Sequence, residues 1–146
     1  MNGRVEQIWI KRAHRGPMDA RAEAELVAGR GMVSSADQGG RRQITLLDAD
    51  EWEARCASLG VTVDPILRRA NVLLRGVDLR TSRGRLVRLG ACLLRILGET
   101  KPCERMDEAQ RGLQTTLFPD WGGGAFAEVV EGGAIRVGDE AELVEV

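Results

Sequence analysis

Apolar and polar positions alternate over short runs along most of this chain, which is the two-residue period of half-buried strands. "RVEQIWIK" (4–11) places Val5 and Trp9 on one side and Ile8 and Ile10 on the other. "AEAELVAG" (22–29) alternates small or apolar residues with Glu23 and Glu25, and "RQITLLD" (42–48) reads as a third strand. At Asp48 the period changes. Asp48 is placed to cap a first helical turn and Glu51 to reach back to it, and the helix runs to about Leu59, with Gly60 suited to its end. Trp52, Cys56 and Leu59 fall at i, i+4 and i+7, so they share the buried face and Cys56 reads as a small core residue.

Strand patterning then resumes. "ANVLLRG" (70–76), "LVRLG" and "ACLLRILG" follow, with Cys92, Leu94 and Ile96 on one face of the last. A loop beginning "KPC" leads to a weak short helix over 108–118, and the chain closes as strands turning at Glu131-Gly-Gly133 and Gly138-Asp139. About eight strands and one clear helix predict a mainly β fold, and closure into a barrel removes the exposed edges that so many short strands otherwise leave. At 146 residues the chain is expected to be one domain over 1–146.

Composition narrows the function classes. The opening residues are too polar for a secretory signal and no apolar run approaches the roughly 20 residues of a membrane helix, so a cytoplasmic protein without a membrane partner is expected. Three cysteines without a CxxC pair argue against a disulfide framework. Residues 65–111 hold eleven Lys or Arg against five Asp or Glu, while 112–146 hold one against seven. Nineteen of the twenty-one cations are arginine, whose planar fork grips phosphate and carboxylate at two points. A GC-rich coding bias produces the same excess, and composition alone does not separate the two. With two phenylalanines and no tyrosine there is little surface for base stacking, which disfavours nucleic acid.

The remaining candidate is "GETKPCER" (98–105). Pro102 stiffens the backbone beside Cys103, placing that thiol on a corner and not inside a strand. Lys101 and Arg105 stand two residues to either side, cations of the kind that stabilise a thiolate, and Glu99 and Glu104 oppose them. A thiolate binds soft metals or carries sulfur; the residues alone also allow an idle loop thiol. His14, the only histidine, excludes a zinc site built from several imidazoles and reads as a surface residue. Arg41-Arg42 and Arg68-Arg69 each precede a strand and are able to line a phosphate pocket with Lys101, and "WGGGAF" offers backbone amides to an anion.

The order "RQITLLDADEW", "RRANVLLRGVDL", "GRLVRLGACLLRILGETKPCER", "GGGAFAEVVEGGAIRVGDEAEL" resembles the MOSC domain, the module named after the C-terminal part of molybdenum cofactor sulfurases. The resemblance implies a closed β-barrel and one functional cysteine, Cys103, which in cofactor-holding members ligates molybdenum. It implies a cofactor grip at Arg69, Asn71 and Lys101, and at Arg41, Arg42 and Thr45. It also implies a small-molecule substrate such as an N-hydroxylated compound, reduced with a partner electron-donor protein. Two other expectations stand beside that one: a sulfur carrier bearing a persulfide on Cys103, supplied by a cysteine desulfurase, and a non-catalytic binding barrel. The pyridoxal-phosphate domain of full-length sulfurases has no counterpart in this sequence, so no pyridoxal phosphate is expected. Where many relatives carry Gly-Asp, this chain has Ser34-Ser35.

Overall fold

The computed structural model describes residues 3–144, in eleven strands, three short α-helices and one 3-10 turn. Seven strands close into a barrel: β1 (Gly3–Lys11), β5 (Ile44–Asp48), β6 (Val72–Arg75), β7 (Leu86–Leu89), β8 (Cys92–Glu99), β9 (Ala125–Glu131) and β11 (Glu140–Leu143). Their order is β11-β7-β8-β9-β5-β6-β1, and Gly3 and Arg4 pair back onto Ala141 and Glu140 to shut it. β2 (Met18–Arg21) extends the sheet beyond the far end of β1, and β3 (Glu23–Val27), β4 (Gly31–Met32) and β10 (Gly133–Arg136) form a second, three-stranded sheet. Its Leu26, Met32 and Ile135 are buried in the same core as the barrel interior.

One barrel pairing is parallel, β5 with β6, and it requires a crossover. Helix α1 (Ala49–Ser58) and the 3-10 turn Pro65–Arg68 make that crossover. Asp48 caps α1 as expected, accepting from the Glu51 N–H at 3.1 Å. Glu51 does not reach back: its carboxylate accepts from Arg55 Nε and Nη2 at 3.2 and 3.0 Å, because a cation one turn on offers a charged partner. Trp52 and Cys56 are buried together in a cluster outside the barrel with Trp9, Leu47 and Leu73, and Leu59 is partly buried against it. There the Trp52 indole N–H donates to the Val63 carbonyl at 2.8 Å.

Several expectations are corrected. β1 does not alternate strictly. A bulge between Val5 and Gln7 adds one residue, so Val5 joins Ile8 and Ile10 in the barrel core while Trp9 alone points to the outer cluster. Eleven strands are described where about eight were expected, and the two-residue β4 is too short to show a period. The single helix over 108–118 is two, α2 (Arg105–Ala109) and α3 (Leu113–Leu117), separated at Gly112, whose φ of 89° no helix holds. The pattern in β8 held: Cys92, Leu94 and Ile96 all point inward and are fully buried.

Candidate functional site

One end of the barrel gathers the sequence's cations. The end of β1 contributes Lys11, the start of β5 Thr45 and Leu46, the approach to β6 Arg68, Arg69 and Ala70, the exit of β8 Thr100 and Lys101, the approach to β9 Gly123, and α2 Arg105 and Met106. With Arg42 they line a cleft of about 190 Å³. That is smaller than the roughly 300–1,000 Å³ typical of small-molecule pockets, a space on the scale of a head group.

Arg68 is built into the wall. Its Nε donates to the Gly123 carbonyl at 2.9 Å and its Nη2 to the Thr100 carbonyl at 3.2 Å. Burial lowers its pKa from the ordinary arginine value; Cys103 acts in the opposite direction, and Arg42 adds to the lowering. The Thr100 hydroxyl also donates to the Gly123 carbonyl, at 2.7 Å. Gly123 has no alternative here, because an added Cβ would run into the Thr100 carbonyl.

Arg69 adopts φ 64°, an uncommon conformation for a side-chain-bearing residue, at the end of the 3-10 turn. Its Nη1 donates to the Gly16 carbonyl at 2.6 Å, while its Nη2 is buried without any partner. An unpaired buried donor costs about 1–3 kcal/mol, and for a charged group more. Burial and the nearby Arg105 both lower the Arg69 pKa, and Asp37 raises it. Lys11 and Lys101 have carboxylate partners, Asp37 at 2.9 Å and Glu99 at 3.2 Å. Arg42, Arg68, Arg69 and Arg105 form no ion pair among the described residues. The cleft thus holds uncompensated positive charge and an orphaned donor, the combination that an anionic group relieves.

Asn71 lies beneath this floor, 2% exposed, and both ends of its amide are engaged. Its Oδ1 accepts from the Thr45 N–H at 3.0 Å and from the Thr45 hydroxyl at 3.2 Å. Its Nδ2 donates to the Trp9 carbonyl at 3.3 Å and to Ser35 Oγ at 3.2 Å. Ser35 Oγ also accepts from the Lys11 N–H, and Ser34 takes φ 71°, which glycine adopts most easily. The two serines therefore supply the backbone bend and the buried acceptor that the site's frame requires.

Of the predicted site residues, Arg42, Thr45, Arg69 and Lys101 line the cleft. Asn71 is under it. Arg41 lies outside the lining, its guanidinium 6.0 Å from the Phe126 ring centroid, with Arg42 at 5.0 Å. Cys103 is exposed on the loop between two lining residues, Lys101 and Arg105, without lining the cleft itself. Lys101 Nζ sits 4.2 Å from the Phe118 ring centroid. Sequence reasoning missed Lys11 and Thr100, reached Gly123 only as part of "WGGGAF", and took Arg105 only as a neighbour of the cysteine. No local signal marks Lys11, which the barrel carries in from the first strand.

A small closed barrel with a cationic cleft at one end and an exposed cysteine on the adjoining loop defines the class: a closed β-barrel domain with its cations gathered at one end. The model of the MOSC domain matches residues 33–142, and the chain belongs to the MOSC domain family. Its fold is shared by the YuaD protein from Bacillus subtilis, at a TM-score of 0.80 and 21% identity over 97% of this chain and 94% of that one. It is also shared by YiiM from Geobacillus stearothermophilus, at 0.75 and 15% over 98% and 75% of the two chains. YiiM from Escherichia coli matches at 0.70 and 15%, over 98% and 70%. No curated protein shows significant sequence similarity to this chain. No described helix is long and apolar enough to cross a membrane.

Proposed function

We propose that this chain holds molybdenum cofactor, with its anionic phosphate in the cationic cleft and its metal against the Cys103 sulfur. The observation that carries the reading is the buried, unpartnered Nη2 of Arg69 among four arginines that have no carboxylate partner. Arg69, Arg42 and Arg105 would bind the phosphate, Lys101 and Thr45 would orient it, and Arg68 would keep the wall formed by Gly123 and Thr100 in place. Among the described residues no three His, Cys, Asp or Glu side chains are grouped to hold a metal ion unaided, which suits a metal brought in on an organic ligand with a single protein thiolate. When bound, the cofactor supplies two-electron redox chemistry, suited to reducing an N-hydroxylated compound to the amine and water with two protons and electrons from a donor protein. Asn71 acts at one remove, fixing Thr45 and the strands around it.

The test is molybdenum and released pterin per chain, for wild type and Cys103→Ser purified without oxygen from a host that makes the cofactor. Near-stoichiometric metal in the wild type and its loss in the variant are expected; a wild type without metal or pterin overturns the reading. A second reading, a persulfide carrier, is favoured by the exposure of Cys103, since a carried sulfur must be reached by both donor and acceptor proteins. Incubation with a cysteine desulfurase and cysteine would then leave a reductant-labile adduct of about 32 Da on Cys103, the mass of one sulfur atom.

A further inference from the structure

Next to the cleft, on the outer face of β8 and β9, two arginines lie over one aromatic ring and a third stands nearby. Arg41 and Arg42 lie over Phe126. Arg83 stands close by: its Nη1 and Phe126 Cε1 both border the space over Gly98, 3.2 and 2.9 Å from where a Cβ would stand there. Arg83 is anchored there by a hydrogen bond from Nη1 to the Leu97 carbonyl at 3.1 Å. All three arginines are exposed, and none forms an ion pair among the described residues. Arg12, Arg80 and Arg136 pair with Asp19, Asp78 and Glu23, whereas Arg15, Arg21, Arg30, Arg88 and Arg111 are exposed without an ion pair among the described residues; what sets the cluster apart is two guanidinium groups over one ring beside the cleft. Helix α1 packs on β5 and β6, while β10 and β3 touch β8 and β9.

We propose that the Arg41–Arg42–Arg83 cluster around Phe126 is the docking surface for a carboxylate-rich face of a partner protein. Arg42 belongs both to this cluster and to the cleft lining, so a protein seated here lies against the mouth of the site. The proposal rests on the reading of the cleft as the working site, which needs a protein to deliver electrons or sulfur. Arginine around an aromatic is the composition of energetic centres in protein interfaces. Carboxylate is favoured over nucleic acid because the one ring is half-buried and overlaid by two guanidinium groups, leaving no free face on which a base can stack. Exposed charges of this kind chiefly raise the association rate and choose the partner, and salt screens them.

The experiment titrates fluorescently labelled poly-L-glutamate into the full chain, the wild type beside Arg83→Glu, Arg41→Glu, Arg136→Glu and Cys103→Ser. Binding at low ionic strength that weakens as salt rises is expected, with a loss of about fivefold or more for Arg83→Glu and for Arg41→Glu, since reversal replaces attraction by repulsion. Arg136→Glu makes the same change in net charge on β10 and is expected within about twofold of wild type. Arg83→Glu is expected to weaken binding whether or not the chain holds molybdenum, and Cys103→Ser is compared with wild type of the same metal content, so the cofactor reading and this proposal fail separately. No binding, or an equal loss in Arg136→Glu, overturns the proposal. So does tighter binding of a single-stranded oligonucleotide of equal charge, or sedimentation showing self-association that Arg83→Glu abolishes, because the surface then serves nucleic acid or a second copy of the chain.

Discussion

Replacing Asn71 by alanine separates a structural clamp from a cofactor ligand. The side chain ties β6 to β5 through Thr45, to β1 through the Trp9 carbonyl, and to the segment before β5 through Ser35. Its removal leaves the Thr45 N–H and the Trp9 carbonyl without these partners in a region where Asn71 itself is 2% exposed. Each buried group so orphaned costs about 1–3 kcal/mol, and two that water partly reaches after the truncation give about 2–4 kcal/mol. For a chain of this size, about 3 °C per kcal/mol translates this into a fall in Tm of about 6–12 °C. Urea unfolding followed by tryptophan fluorescence gives the free energy directly, because Trp9 and Trp52 lie in the cluster adjoining this clamp. The expected result is a lower midpoint with an unchanged slope. A loss below about 0.5 kcal/mol, together with loss of bound molybdenum, would refute the clamp and make Asn71 a ligand.

Two further outcomes follow from groups away from the cleft. Burial pushes the Asp48 carboxyl up to about 6, so the folded state holds its proton more tightly than the unfolded chain and the stabilisation from that proton is lost as pH rises through about 4 to 6. Asn caps a helix as well as Asp, so Asp48→Asn is expected to be about 1–3 kcal/mol more stable than wild type above pH 6, with the gap closing below about pH 4; equal denaturant midpoints at pH 7 would count against it. Thiol alkylation read by mass spectrometry is expected to label Cys103 alone in the native protein and all three cysteines after unfolding. Cys56 and Cys92 are shielded, and burial raises both of their pKa values; native labelling of either would contradict the packing.

The barrel was legible because its longer strands carry a clean period and the helix has a capping residue where the period changes. Cys92, Leu94 and Ile96 illustrate the first and Asp48 the second. Val5 was assigned to the wrong side because a bulge shifts parity without leaving a mark in the residue pattern. The site was half legible. Paired arginines before strands and a Pro-Cys on a turn are local signals, and Arg42, Arg69 and Lys101 do meet in the cleft. Lys11 arrives through strand order alone. Asn71 was singled out with its neighbours, but whether an amide faces a ligand or the protein depends on what its two ends meet.

The pairing of β1 with β11 has a consequence for timing. β1 must wait for β11 to complete its second edge, since Arg4 pairs with Arg75 on one side but Gly3 and Arg4 meet Ala141 and Glu140 on the other. Until then the growing polypeptide has unpaired edges at the start of β1 and along β7, each able to capture another nascent chain. Closure joins positions nearly the whole sequence apart, the kind of contact that slows folding most. The rate at which the barrel's edges become safe from capture is therefore governed by how soon β11 reaches β1 and β7.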